Sequence, residues 1–237
     1  MLLLNSLYLT MKISHLSLIF LSLILFNRKS VYAQNAGVYI NDVSGFPIRP
    51  ATTDEISGTN YLNKDWQLGS VTVQNGKTYK NMLVKLDLLN HKFVFKGDKG
   101  ETMGFVDPVA QVILDPTSLN TNPVILRNGF NGADVNPNDY LQVMTDGNVV
   151  LLKKMSIIIK EVKEYNSAVT EKSYVNKSSY YIAQKDKPLQ SLALNKKGIL
   201  NVLTAHGKEV EQYINDNKIN FKKDEDIIKV INYYNSL

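Results

Sequence analysis

No cysteine occurs among the 237 residues, so a disulfide framework, a thiol nucleophile, a cysteine-based metal site and lipid attachment through cysteine are all excluded. Histidine is nearly as scarce, with three in the whole chain, and none stands in a His-Glu-x-x-His spacing. The sequence also lacks a Gly-x-Ser-x-Gly nucleophile elbow and the glycine-rich loops that cradle phosphates or dinucleotides. Most routes to covalent or transition-metal catalysis are thereby closed. The expectation is a protein without a cofactor, and the balance leans away from an enzyme while leaving a carboxylate-dependent hydrolase open.

Long apolar runs are also rare. The one continuous stretch, Leu16 to Phe26, carries no charge and falls short of the ~20 residues that a membrane span needs. It fits the apolar core of a signal peptide, and Val31 and Ala33 supply the small or compact side chains that signal peptidase accepts before a cut. Residues 1–33 are read as a signal peptide with cleavage after Ala33. Met11-Lys12-Ile13 gives the more typical start, because Lys12 is the only positive charge ahead of the run. The competing reading is an uncleaved anchor. The location expected from export is periplasmic or secreted, with no transmembrane segment after signal cleavage.

Charge reinforces that division. The formal net charge is +5, but Lys12, Arg28 and Lys29 lie in the leader while every Asp and Glu lies beyond it, so the mature chain is almost balanced. Its lysines alternate with acids and apolar residues and form no concentrated basic face, which argues against a nucleic-acid partner.

From Gly69 the pattern is one of short apolar-alternating segments separated by turn residues. Ser70–Val73 and Lys77–Tyr79 flank Asn75-Gly76, a pair suited to a tight hairpin turn. Met82–Leu88, Lys92–Lys96, Thr102–Val106 and Val109–Leu114 follow, then Pro123–Leu126, Tyr140–Met144 and Val149–Leu152. Met155–Val162, with three successive isoleucines, favours strand. Tyr174–Ala183 and Leu189–Leu194 suggest a last hairpin. Local connections of this kind imply antiparallel pairing. From Asn195 the apolar period lengthens: Ile199, Leu200 and Leu203, then Val210, Tyr213 and Ile214, then Ile227, Val230, Ile231 and Tyr234 mark short amphipathic helices. Asp224 is expected to cap the last, and His206 to sit at a helix end where a positive charge suits the dipole. The fold class expected is α+β: mainly an antiparallel β meander, with residues 34–194 as the β body and 195–237 as a helical segment packed on it.

Three groups of residues carry candidate chemistry. The loop Asn131–Asp139 places Asp134, Asn136, Asn138 and Asp139 at spacings that could surround calcium. Counted from Asp134, however, the EF-hand glycine and glutamate positions hold Asp139 and Thr145, and Asx turns explain the same residues. Asp54, Glu55, Asp65, Asp107 and Asp115 could supply a carboxylate pair for a hydrolase. Phe93, Phe95, Met103, Phe105 and Met144 could line the cavity of a carrier for an apolar small molecule. Trp66, the only tryptophan, and the tyrosines could face a sugar or lipid surface as readily as fill a core.

The segments Tyr61–Trp66, Gly69–Val73, Asn75–Tyr79, Asp224–Lys229 and Tyr233–Leu237 resemble an exported, β-rich family of Bacteroidota that has no assigned activity. The resemblance implies an envelope or secreted location in a Gram-negative cell and brings no catalytic residues with it. The leading functional expectation is a non-catalytic binding or structural module facing an envelope protein, glycan or lipid. The apolar carrier and the carboxylate hydrolase stand behind it.

Overall fold

Alternation of Val71 and Val73 with polar neighbours makes β3 (Gln67–Val73) a strand with one buried face, and β4 (Thr78–Asp87) answers it with Tyr79, Met82, Val84 and Leu86. The two segments expected on either side of Asn81 are one strand. Asn81, at φ 57°, forms a bulge where the register shifts between Gly69 and Val71. The β3–β4 turn is wider than the two-residue turn expected from Asn-Gly. Gly76 N–H donates to the Val73 carbonyl at 2.9 Å, and Val73 N–H to the Lys77 carbonyl at 3.0 Å. Only Gly76 (φ 88°) is left-handed, as in a three-residue loop with a glycine bulge.

The structure is a computed structural model that describes residues 43–48, 56–118, 121–163 and 170–237. The leader and its cleavage site, Asp54 and Glu55 lie outside the described residues. All described residues belong to the unit Tyr39–Leu237.

β5 (Lys92–Lys96) and β6 (Thr102–Phe105) extend the sheet from β4, and β1 (Gly45–Pro47) pairs with β6 at its edge. β7 (Val109–Leu114) does not pair with β6; it lies beside β3 instead. Crossing from β6 to β7 in a flat sheet would cover four strand spacings, roughly 19 Å. The four Cα steps from Phe105 to Val109 reach only about 15 Å. The sheet must therefore curl back on itself, and the concave side holds the first core, with Val84 and Val112 completely buried and Phe93 and Phe95 beside them.

Beyond β7 the order is sequential: β8 (Val124–Arg127), β9 (Leu141–Val143), β10 (Val149–Lys163), β11 (Thr170–Gln184) and β12 (Gln190–Leu192). Among the described residues the only parallel pair sets β2 (Ile56–Ser57) against β11. β10 joins the two apolar runs that flank Lys153-Lys154 into one strand of 15 residues, matched along its length by the 15 residues of β11. This ribbon contributes to three cores. Met155 and Ile157 pack on the first; Leu151 and Ile182 enter the second; Leu152 and Tyr181, on the opposite face, enter a third beneath Val135 and Leu189.

The second core is closed by three helices, α1 (Lys196–Val202), α2 (Gly207–Asp216) and α3 (Asp224–Ser236). Their apolar stripes bury Ile199, Val210, Ile227, Val230 and Ile231 completely, worth roughly 1.5–3 kcal/mol for each large aliphatic side chain. The chain is thus α+β, an antiparallel sheet followed by short helices. Two end assignments differ from expectation. Asp224 is the first helical residue, and the cap position belongs to Lys223, because the Asp224 carboxylate is drawn to Lys153 Nζ and the Tyr180 hydroxyl, each at 2.7 Å. His206 precedes α2, at the positive end of its dipole, because the turn before it places the helix start one residue later.

Candidate functional site

Curling of the sheet brings the β4–β5 turn, the β6–β7 link and the loop before β9 to one end, where they border a cleft of about 710 Å³. Asp87 builds the first wall. Its buried Oδ1 accepts the N–H groups of Leu89 (2.9 Å) and Asn90 (3.0 Å), and Oδ2 accepts the Asn90 side-chain amide at 2.8 Å. The tightened turn leaves His91 left-handed at φ 51°, uncommon for any residue but glycine.

His91 Nδ1 lies 3.1 Å from Asp139 Oδ1, and the Asp139 side chain is only 7% exposed. Asp139 Oδ2 meets Lys154 Nζ at 2.6 Å and accepts the Asn136 N–H at 2.9 Å. Lys154 Nζ also donates to the Asp134 carbonyl at 3.0 Å. One buried carboxylate thus ties together a turn, a loop and strand β10. An imidazole anchored through Nδ1 keeps its other nitrogen for a ligand.

The loop itself is strained, since Ala133 is left-handed at φ 51° between Gly132 and Asp134. Asn136 Oδ1 accepts the Asn138 N–H at 3.0 Å, an Asx turn. Tyr181, wholly buried, donates its hydroxyl to Asp134 Oδ1 at 2.6 Å. That bond holds the Asp134 carboxyl below the usual range. Burial first, and the Asp134 carboxylate second, push the Tyr181 phenol up to about 12. Tyr140, on the cleft floor, packs edge-on against Phe93 at 4.8 Å and donates to the Val109 carbonyl at 2.8 Å; burial raises it to about 12 as well.

The four residues of the calcium candidate therefore lie together on the cleft wall, but both their carboxylates are engaged: Asp134 by Tyr181, Asp139 by His91 and Lys154. Among the described residues no group of three or more histidine or acidic side chains could hold a metal ion. Of the hydrolase candidates Asp107 lines the cleft, where its carboxylate accepts the Asn75 side chain at 3.4 Å; Asp65 and Asp115 do not line it. The residues named for an apolar cavity are divided. Phe93, Phe95, Met103 and Phe105 belong to the first core, whereas Met144 packs on the second. Trp66 stands apart from the cleft, its ring 4.9 Å from Lys85 Nζ, with Tyr61 at 5.2 Å.

His91 and Lys154 carry no sequence signal for this site, because their roles arise only when three distant segments meet at Asp139. Phe46 of β1, half exposed, and Phe105, partly buried, also line the cleft. Among the described residues no helix is long and apolar enough to cross a membrane. Comparison with family models, curated proteins and solved structures returns no match.

Proposed function

We propose that the chain is an exported envelope protein of a Gram-negative cell, periplasmic or secreted, whose cleft binds a hydroxyl-rich ligand of the glycan class without transforming it. The single observation that carries this reading is the composition of the cleft. The fixed His91 imidazole and the Asn138 side chain line it together with the rings of Phe46 and Phe105. Sugars present hydroxyl groups around their edge and C–H groups on their faces, and this combination answers both. The volume, about 710 Å³, falls in the range of small-molecule sites. A carrier of apolar molecules has less support, since Phe93 and Phe95 are consumed by the core.

Saturation-transfer NMR of the purified protein with soluble envelope oligosaccharides tests the reading. Signal transfer from sugar protons should appear and should be lost in His91→Ala and weakened in Phe46→Ala. Transfer that persists unchanged in both variants, or none with any oligosaccharide, would sink it. Export is tested separately by intact-mass analysis of periplasmic protein, where a mass beginning at Gln34 supports leader removal.

A further inference from the structure

Tyr181 does not line the cleft, yet it supports a wall that does. Side chains alternate along a strand and directly opposite residues share a face. The register Leu152↔Tyr181 and Lys153↔Tyr180 therefore puts Tyr181 with Lys154 on one face of the ribbon, and Tyr180 with Lys153 on the other. Both faces use the same device. On one, Lys153 Nζ and the Tyr180 hydroxyl each meet the Asp224 carboxylate of α3 at 2.7 Å. On the other, Lys154 Nζ meets Asp139 Oδ2 at 2.6 Å and the Asp134 carbonyl at 3.0 Å, while the Tyr181 hydroxyl donates to Asp134 Oδ1 at 2.6 Å.

The second clamp holds a loop whose backbone resists its own shape. Gly132 (φ 127°) and Ala133 (φ 51°) are consecutive left-handed residues just ahead of Asp134. The turn also lies tight on Leu189, since a Cβ on Gly132 would stand 3.1 Å from the Leu189 nitrogen. After Asp134 the chain becomes cleft wall: Asn136 N–H is taken by Asp139 Oδ2, and Asn138 N–H by Asn136 Oδ1. Val135 is buried in the third core together with the Tyr181 ring, but Asp134 itself is exposed, so its carboxylate is drawn inward by the hydroxyl rather than by burial. An O–H···O bond to a carboxylate at this length is of the strong, charge-assisted kind.

We infer that Tyr181 is a positioning residue for the cleft: acting through Asp134, its hydroxyl sets the loop that presents Asn138 and Asp139 to a bound molecule. This rests on the glycan reading only for the identity of that molecule.

A pair of isosteric changes tests it. Tyr181→Phe keeps the ring in the third core and removes the hydroxyl alone. Tyr180→Phe removes an equivalent donor to an aspartate from the other face, and is the matched control. In the ligand-free protein, the amide NMR signals of residues 131–139 should shift in Tyr181→Phe and stay in place in Tyr180→Phe. The Asp134 carboxyl, held below the usual range chiefly by the Tyr181 bond, should titrate at higher pH in Tyr181→Phe alone. The dissociation constant for a tetrasaccharide released from peptidoglycan should rise about three- to tenfold in Tyr181→Phe and change less than about twofold in Tyr180→Phe, although both lose a comparable hydrogen bond and a similar few degrees of melting temperature. Loop signals unchanged in Tyr181→Phe, the same loop disturbance in both variants, or undiminished tetrasaccharide affinity in Tyr181→Phe would overturn the inference. If the unaltered protein binds no tetrasaccharide, the glycan reading is what fails, and the loop signals and the Asp134 titration still decide the role of Tyr181.

Discussion

Replacing Asp139 by asparagine preserves the shape of the side chain and one acceptor for the Asn136 N–H, but deprives Lys154 of its counter-charge at 2.6 Å. Lys154 is 16% exposed and Asp139 7%, so the pair belongs with buried ion pairs, whose disruption costs about 3–5 kcal/mol. Lys154 retains the Asp134 carbonyl and some water, which reduces the expected loss to about 2–3 kcal/mol. For a chain of this size the melting temperature should fall by roughly 5–10 °C. Urea unfolding followed by far-ultraviolet circular dichroism measures the loss directly. The internal standard is Glu161→Gln, which breaks the exposed Lys172–Glu161 pair and should change stability by no more than about 0.5 kcal/mol. Lys154→Met with Asp139→Asn should cost at least about 1 kcal/mol less than the sum of the single changes, because the second substitution removes the stranded ammonium. An Asp139→Asn loss no larger than that of Glu161→Gln would refute the view that this carboxylate holds the cleft together.

Alkaline titration followed at 295 nm should show Tyr140 and Tyr181 ionising late, near pH 12. Their folded-state values lie above the unfolded value near 10, so the stability they contribute is complete below pH 10 and is lost as pH rises towards 12; ionisation of every tyrosine near pH 10 would contradict the burial described. Asn235→Ala removes two hydrogen bonds to Val149 at the start of β10 and one to Asp146 in the turn before it, and should cost about 2 kcal/mol by chemical denaturation, whereas a change under ~0.5 kcal/mol would mean water replaces the amide without loss. Gly69→Ala should destabilise by several °C on thermal unfolding, because its Cβ would stand 2.5 Å from the Ile113 carbonyl oxygen, a backbone atom unable to step aside without disturbing β7. A melting temperature unchanged within 1 °C would show that the bulge yields freely.

Local pattern was enough to find most strands, since Val71, Val73, Val84 and Leu86 obey a two-residue period and the isoleucines after Met155 resist a helix. The same is true of the helices, whose buried residues fall at three- and four-residue spacings. What local pattern could not reveal was partner choice. The short link through Asp107-Pro108 suggests a hairpin between β6 and β7, yet the curl delivers β7 to β3. Asp224 looked like a cap because its sequence neighbours are acidic, but Lys153 and Tyr180, distant in sequence, determine its direction. The cleft was half legible. Asp134, Asn136, Asn138, Asp139 and Asp107 were all singled out from the sequence and all line it, whereas His91 and Lys154 gain meaning only from tertiary proximity.

The long β10–β11 ribbon places side chains in all three cores. Melting any one core strips apolar cover from strands that the other two still require. The helices therefore have no independent life as a detachable cap, nor the curled sheet as a minimal domain: loss of either frays a shared spine. Denaturation should accordingly run as a single cooperative event, in which the lone Trp66, against Lys85 of β4, and the backbone dichroism of the helices report the same midpoint.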